Sequence, residues 1–455
     1  MSKWPTYGIF LGIGGIGMSA LARYCQAQGM QIWGYDKTPS KLTEELANEG
    51  IEVSYEDHPK GIPSMMLANP LDVWIIYTPA VPEKTALRTF FSQHEFTMVK
   101  RATLLGMISE AMDTLAIAGT HGKTTSTNLA AWVLSKSEGK GNAFLGGISG
   151  NFNSNVLIHK DSERLVVEAD EYDRSFHALH PQIALITAND PDHLDIYGTD
   201  VAFYDAFNQF ANQVNQQGCL VVNEQVEIRT THPNVFRYGW EKNNHYYPVN
   251  CEYKASGSQF NLHTPEGTID DLYLNMVGKH NVMNAVGVAA SMLNWGVKPK
   301  AIKEAFATFK GVKRRFEHIC KLANNGVYID DYAHHPRELN AAIGAAKAIF
   351  PAQKITGVFQ PHLYSRTSDF MDEFAHELAQ LDVVYLLPIY AAREEPLEGI
   401  SSNVLLAKID NSDKWLVEKE QLVEKLKQQK PEVLLTLGAG DIDRMVEPIK
   451  EALAV

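Results

Sequence analysis

Short apolar runs, each followed by a stretch with helical spacing, recur along most of this chain. Over the first part the pattern predicts strands at 7–11, 31–34 and 73–77 and helices at 18–28 and 41–49, the alternation of a parallel α/β unit. A second unit opens near Asp113, with a strand at 114–118, a glycine-bearing turn, a helix at 126–134 and further strands at 164–167 and 183–187. From Cys219 to Met276 polar and apolar residues alternate between turns such as Ser256-Gly257-Ser258, which predicts antiparallel strands appended to the α/β core. An Ala- and Val-rich helix is expected over 280–293. After Lys313-Arg314-Arg315 the βα alternation resumes, with strands at 327–330, 354–359, 383–387 and 433–437 and helices at 336–348 and 369–381. Three α/β domains are expected, over 1–112, 113–314 and 315–455.

Composition narrows the class. The 455 residues are 45% hydrophobic and 21% charged, a balance that supports a large core without disulfides or a structural metal. The 54 acidic residues exceed the 41 Lys and Arg by 13, which argues against a nucleic-acid or anionic-membrane binder. Cys25, Cys219, Cys251 and Cys320 are scattered, with no CxxC pair; that usage fits a reducing cytoplasm. No apolar run is long enough to span a bilayer, and the segment 1–6 lacks the features of a signal peptide. A cytoplasmic enzyme, monomer or homodimer, without membrane insertion is expected.

The sharpest local chemistry is Gly119-Thr120-His121-Gly122-Lys123-Thr124-Thr125 between a strand and a helix. Two glycines bring backbone close to phosphate oxygens, and the helix start presents unpaired N–H groups and a positive dipole end. Lys123 suits the terminal phosphates of ATP, and Thr124 or Thr125 suits magnesium. Ile117 stands where the general GxxxxGK[ST] pattern has glycine. A second glycine turn, Gly12-Ile13-Gly14-Gly15-Ile16-Gly17, follows the first strand, with Asp36 ending the next. Such a turn holds a pyrophosphate against a helix N-terminus, whether from a dinucleotide or a UDP-sugar. Thr78-Pro79 breaks the chain after the strand at 73–77, where open α/β sheets build ligand sites.

Acidic turns follow two strands beside the phosphate loop: Glu168-Ala169-Asp170-Glu171 and Asn189-Asp190-Pro191-Asp192-His193. Carboxylates in that position hold a nucleotide's magnesium. Asp330-Asp331-Tyr332-Ala333-His334-His335-Pro336 and His362-Leu363-Tyr364-Ser365-Arg366 lie at strand ends in the third unit. Together they suit holding a carboxylate and helping a proton leave an amine.

Taken in order, GIGGIGMSALA at 12–22, GTHGKTT at 119–125, EADEYD at 168–173, NDPDHLD at 189–195, GKHNVMNA at 278–285, KRRFE at 313–317, DDYAHHP at 330–336 and FQPHLYSR at 359–366 resemble the Mur ligase family. The resemblance implies a Rossmann-like UDP-binding domain, a central P-loop-type ATPase α/β domain with appended antiparallel strands, and a C-terminal Rossmann-like domain for the incoming amino acid. It implies ATP and Mg2+ as cofactors and UDP-N-acetylmuramate and L-alanine as substrates, joined through an acyl phosphate. It assigns Gly12, Gly14, Gly15, Ile16, Gly17, Asp36, Thr78 and Pro79 to the UDP-sugar, and Thr124, Glu168 and His193 to the metal. Asn281 and Arg315 join the loop residues Gly119 to Thr125 as ATP contacts, and His335, His362 and Arg366 form the amino-acid site. Lys123, His193, His335 and Arg366 are the implied catalytic residues. Leu363 stands where many alanine-adding members have Arg, which leaves Arg366 as the clearest carboxylate anchor. The opening motif favours alanine addition over ligation of a whole tripeptide. A nicotinamide dehydrogenase, suggested by the first glycine turn and Asp36, leaves the Lys-Thr-Thr loop and both acidic turns unexplained.

Overall fold

The computed structural model describes residues 4–191, 194–254, 257–322, 326–392 and 394–454. Strand β1 (Tyr7–Leu11) is buried along four of its five residues and therefore takes the centre of a sheet. Strands β2 (Gln31–Tyr35), β3 (Glu52–Ser54), β4 (Val73–Tyr77) and β5 (Thr97–Lys100) join it in the order β3-β2-β1-β4-β5, all parallel. The strand order reverses between β1 and β4, and the crevice at their C-terminal ends is where such sheets bind ligands.

The second sheet grows around β6 (Asp113–Ala118), whose Leu115, Ala116, Ile117 and Ala118 are fully buried. It contains β7 (Asn142–Phe144), β8 (Val156–Leu157), β9 (Arg164–Ala169), β10 (Ile183–Ile186), β11 (Cys219–Asn223) and β12 (Val235–Tyr238), in the order β12-β11-β10-β6-β9-β7-β8. Strands β9 and β10 flank β6 in parallel, with Ile117 beside Glu168 and Ala118 beside Ala169 and Ile186. The residues that follow all three strands thus emerge at one edge.

The antiparallel region is narrower than the alternation at 219–276 predicts. Strands β11 and β12 are parallel members of the central sheet; β11 is buried at all five positions, as a strand covered on both faces must be. The antiparallel sheet is β13 (Tyr247–Lys254), β14 (Gly257–Thr264) and β15 (Gly267–Leu274), and its Phe260, Leu262, Leu272 and Leu274 pack into the same core as helix Lys279–Asn294.

Residues Lys313–Val455 form a separate compact unit. Its sheet is β16 (Glu317–Lys321), β17 (Val327–Asp331), β18 (Ile355–Phe359), β19 (Val383–Leu386), β20 (Lys414–Leu416) and β21 (Val433–Leu437), in the order β16-β17-β21-β18-β19-β20. Only β16 runs antiparallel, against β17. The helix predicted at 369–381 is Met371–Leu378, and a short helix that the spacing does not predict, Tyr364–Asp369, precedes it, the two parted where Phe370 leaves helical geometry at φ −118° and ψ 27°.

Within the unit Met1–Val312 the first two sheets are fastened by a buried polar cluster. Asn155, with no exposed surface, donates to the Ile16 carbonyl at 2.6 Å and the Ser19 hydroxyl at 2.8 Å, and accepts from Arg23 at 2.6 Å. Arg23 makes a bidentate pair with Glu49, both contacts at 2.7 Å. Tyr24 meets Phe144 edge-on at 5.4 Å. The helix Ile16–Ala27, which opens with the first glycine turn, is thereby tied to the loop before β8. Asn155→Ala removes three hydrogen bonds of this cluster at once, and is expected to destabilise this unit by about 3 kcal/mol. Calorimetry of the full chain checks this; an unchanged first unfolding transition contradicts it.

Candidate functional site

The phosphate loop is short because β6 runs on through Ile117 and Ala118 into the core before the chain turns at Gly119. That explains the isoleucine in place of the usual glycine: position 117 is still strand. Gly119 (φ +140°) and Gly122 (φ +80°) take backbone conformations that favour glycine. A Cβ at 119 would strike the Thr187 hydroxyl and the Ala188 backbone. Just past β10, the Thr187 hydroxyl donates to the His121 carbonyl at 2.5 Å and its N–H to the Ala118 carbonyl at 3.0 Å, while the Thr120 N–H donates to the Ala188 carbonyl at 3.1 Å. The loop is therefore stapled to the neighbouring strand end before any ligand arrives.

Helix Lys123–Lys136 starts at this loop with no side-chain cap, so its first N–H groups are not met by a capping side chain. Lys123 Nζ donates to the Gly119 carbonyl at 2.5 Å and to Glu171 Oε1 at 2.7 Å. Burial alone would lower the lysine, but Glu171, Glu168 and Asp170 outweigh it and hold the ammonium charged. Thr124 Oγ1 lies 3.2 Å from Glu168 Oε1. The Gly146-Gly147 pair runs directly over these two oxygens: a Cβ at 146 would strike the Glu168 carboxylate, and one at 147 would lie 3.3 Å from the Thr124 methyl.

These residues fit a magnesium nucleotide. The Thr120 hydroxyl is buried without a hydrogen-bond partner among the described residues, the glycine backbone leaves a cradle that a Cβ would fill, and the converging Thr124 and Glu168 oxygens are hard donors. Among the described residues no group of three His, Cys, Asp or Glu is arranged to hold a metal; Mg2+ takes few protein ligands and keeps water and phosphate oxygens for the rest. His193, expected as a ligand, lies outside the described residues.

The first glycine turn is closed by its own acid. Asp36 Oδ2 accepts the Gly14 N–H at 2.8 Å, and the Gly12 and Ile13 N–H groups donate to the Tyr35 carbonyl at 2.7 and 3.0 Å. Asp36 thus braces the turn. Gly12 (φ +87°) lies against Thr78, whose methyl is 2.8 Å from the place of a Cβ, so the loops after β1 and β4 meet as the motifs predict. Gly17 leaves room for Arg101, which reaches Asp170 at 3.5 Å.

Asn281 begins helix Lys279–Asn294 and donates to the Val277 carbonyl at 2.9 Å. One turn on, the Asn284 side chain presses on Gly122, its Oδ1 2.5 Å from where a Cβ would stand. Thr187, Gly146-Gly147, Glu171, Asn284 and Arg101 are the site residues that motif spacing did not assign. Glu171 stands in an acidic turn that the sequence marks, and the glycine pair is visible as a pair; the others act through contacts distant in sequence.

In the C-terminal unit, the turns after β17 and β18 bring His334 and the predicted His362 together. His334 Nδ1 faces the Tyr332 carbonyl at 2.9 Å and Glu338 Oε2 at 3.2 Å. Two acceptors put the neutral ring's proton on Nδ1 and leave Nε2 as the basic nitrogen. Burial pushes His334 below the ordinary histidine range. His335 instead caps helix Pro336–Ile349, its Nδ1 accepting the Arg337 N–H at 3.3 Å. The ring of His362 lies 6.3 Å from that of His334, and Arg366 Nη1 lies 3.3 Å from His362 Nδ1. Arg315 faces Glu338 at 3.8 Å. Leu363 sits at φ +70°, a strained conformation for a branched side chain, held by its N–H bond to the Tyr390 carbonyl at 3.0 Å.

A glycine loop with a charged lysine and paired oxygen donors, beside a braced pyrophosphate-type turn, defines a nucleotide-using α/β enzyme. Three family models match in chain order: "Mur ligase family, catalytic domain" over residues 9–112, "Mur ligase middle domain" over 117–292, and "Mur ligase, glutamate ligase domain" over 314–440. The chain belongs to the Mur ligase family. It is 45% identical to a UDP-N-acetylmuramate–L-alanine ligase of Parabacteroides distasonis, covering 98% of this chain and 96% of that one. A protein of the same name from Christiangramia forsetii is 45% identical, covering 98% and 97%. The crystal structure of UDP-N-acetylmuramate-alanine ligase MurC from Thermotoga maritima matches with a TM-score of 0.83 at 26% identity, covering 98% of both chains. A murein peptide ligase from Psychrobacter arcticus shares the fold, with a TM-score of 0.72 at 20% identity over 98% of each chain.

Asp331 generates a pH prediction. Burial raises its carboxyl from 3.8 to about 6, against Arg315 and the N–H groups of Phe316 and Ala333. A folded-state pKa above the unfolded value means stability present at low pH and lost as pH rises through about 6, by roughly 3 kcal/mol in all. Asp331→Asn is expected to flatten that decline between about pH 4 and pH 6. Melting curves across this range check it, and parallel wild-type and variant profiles contradict it.

Proposed function

We propose that this protein is an ATP-dependent ligase that joins L-alanine to UDP-N-acetylmuramate, working in the cytoplasm. The observation that carries the reading is the phosphate loop itself: a charged, mostly buried Lys123 beside the Thr124–Glu168 oxygen pair. The names of the full-length relatives, at 45% identity, support the choice of substrates. The working domains are taken as 1–112 for the UDP-sugar, 113–314 for ATP and 315–455 for the amino acid.

A carboxylate is a poor acyl donor, so the γ-phosphoryl group of ATP is first moved onto the muramoyl carboxylate. Lys123 spreads its charge over the phosphoryl oxygens as they pass through the transition state. Thr124 and Glu168, with His193, would hold Mg2+, which when bound neutralises charge on the phosphates. Gly119, Thr120, His121, Gly122 and Thr125 line the triphosphate, Asn281 meets the adenine, and Arg315 meets the nucleotide. On the sugar side, Gly12, Gly14, Gly15, Ile16 and Gly17 hold the pyrophosphate, with Asp36 bracing the turn and Thr78-Pro79 walling the crevice.

Arg366 and His362 hold the alanine carboxylate. The basic Nε2 of His334 takes the proton as the amine attacks the acyl carbon, and phosphate leaves from the tetrahedral intermediate. His335, as helix cap, fixes the turn that presents His334.

Phosphate release from ATP is measured with UDP-N-acetylmuramate and, separately, alanine, glycine, serine or a murein tripeptide. Fast turnover with alanine is expected; turnover with the tripeptide alone overturns the substrate, and undiminished turnover without any amine overturns ligation. Lys123→Ala is expected to lower kcat by roughly 10³-fold, and to lower the melting temperature as well, because Glu171 is left buried without its counter-charge. An active variant contradicts the role of the loop.

A further inference from the structure

Lys123 has three N–H donors, and two are already spent, on the Gly119 carbonyl and on Glu171 Oε1. One remains for a ligand. Both acceptors are fixed in place. The Gly119 carbonyl belongs to the stapled start of the loop. The Glu171 residue is 1% exposed, and the Tyr197 hydroxyl donates to its backbone carbonyl at 2.5 Å. The preceding Asp170 is paired with Arg101 at 3.5 Å and accepts the Tyr172 N–H at 3.1 Å. The acidic turn after β9 is therefore held from several directions, and the ammonium cannot swing without breaking a buried ion pair.

This arrangement has two opposed consequences for a triphosphate. Fixing two N–H bonds aims the third and removes most of the side chain's rotational freedom before the ligand arrives. A buried carboxylate next to anionic oxygens, however, repels the bound ground state. We propose that Glu171 is a positioning residue that aims the remaining N–H of Lys123 at the phosphoryl group in transit, while weakening ground-state binding of ATP. The proposal rests on the reading of Gly119 to Thr125 as the ATP loop.

The test compares wild type, Glu171→Gln, Glu171→Asp and Lys123→Ala, measuring kcat, KM for ATP, calorimetric ATP affinity and melting temperature. Glu171→Gln removes the repelling charge and the strong anchor together; kcat is expected to fall roughly 10–100-fold while ATP affinity holds or tightens. Glu171→Asp keeps the charge but shortens the reach, so kcat falls with ATP affinity unchanged. Variant kcat values within about twofold of wild type overturn the proposal. So do losses of kcat and affinity that run in step with a lowered melting temperature, the signature of a purely structural pair. Lys123→Ala separates the two levels of the argument. If it binds ATP and turns over like wild type, the loop reading itself fails; if it is inactive while Glu171→Gln is normal, only the role of Glu171 fails.

Discussion

The parallel register of β6 with β9 and β10 is the constraint on which the rest of the site depends. Setting Ile117 beside Glu168 and Ala118 beside Ala169 and Ile186 brings three strand ends to one edge. There the glycine loop, the acidic turn and Thr187 meet with no further adjustment. A one-residue slip would turn Glu168 to the other face of the sheet and part it from Thr124. The continuous burial of β6 guards against that slip, because its apolar residues serve cores on both sides.

Two glycine turns on two sheets are built on one plan and braced differently. The first is closed from within, by Asp36 accepting the Gly14 N–H. The second is closed from a neighbouring strand end, by the Thr187 hydroxyl donating to the His121 carbonyl of the loop and its N–H to the carbonyl of Ala118 just before it. Both are therefore shaped before any ligand arrives, and the entropy of ordering the loop is not left to binding. Asn155 extends the same preorganisation between the sheets, since it grips the helix that the first turn opens. In the C-terminal unit the equivalent device is Glu338, which accepts the His334 and His335 N–H groups at 2.9 and 3.2 Å and fixes the imidazole turn.

Much of this was legible in the sequence. Strand β1, helix starts after each glycine turn, the acidic strand ends and the His334-His335 turn follow from local patterns alone. The parallel pairing of β11 and β12 was not legible, because a short apolar run does not declare its partners. Nor was the short helix Tyr364–Asp369, since its Ser, Thr and Asp residues favour turns and caps over helix. The missed site residues share a cause. Thr187, Asn284 and Arg101 matter only through contacts with the loops at 119–122 and with Gly17 and Asp170, and a single sequence carries no trace of those distances. Ile117, which departs from the general phosphate-loop pattern, becomes intelligible only when it is seen to belong to the strand.

Amide formation through an acyl phosphate moves one oxygen of the muramoyl carboxylate into the phosphate that leaves. UDP-N-acetylmuramate labelled with ¹⁸O in its carboxylate is therefore turned over with ATP and alanine, and the released phosphate is analysed by mass. One labelled oxygen is expected in each phosphate formed, carried over when the acyl–oxygen bond breaks. Unlabelled phosphate accompanying full amide yield rules out the acyl phosphate.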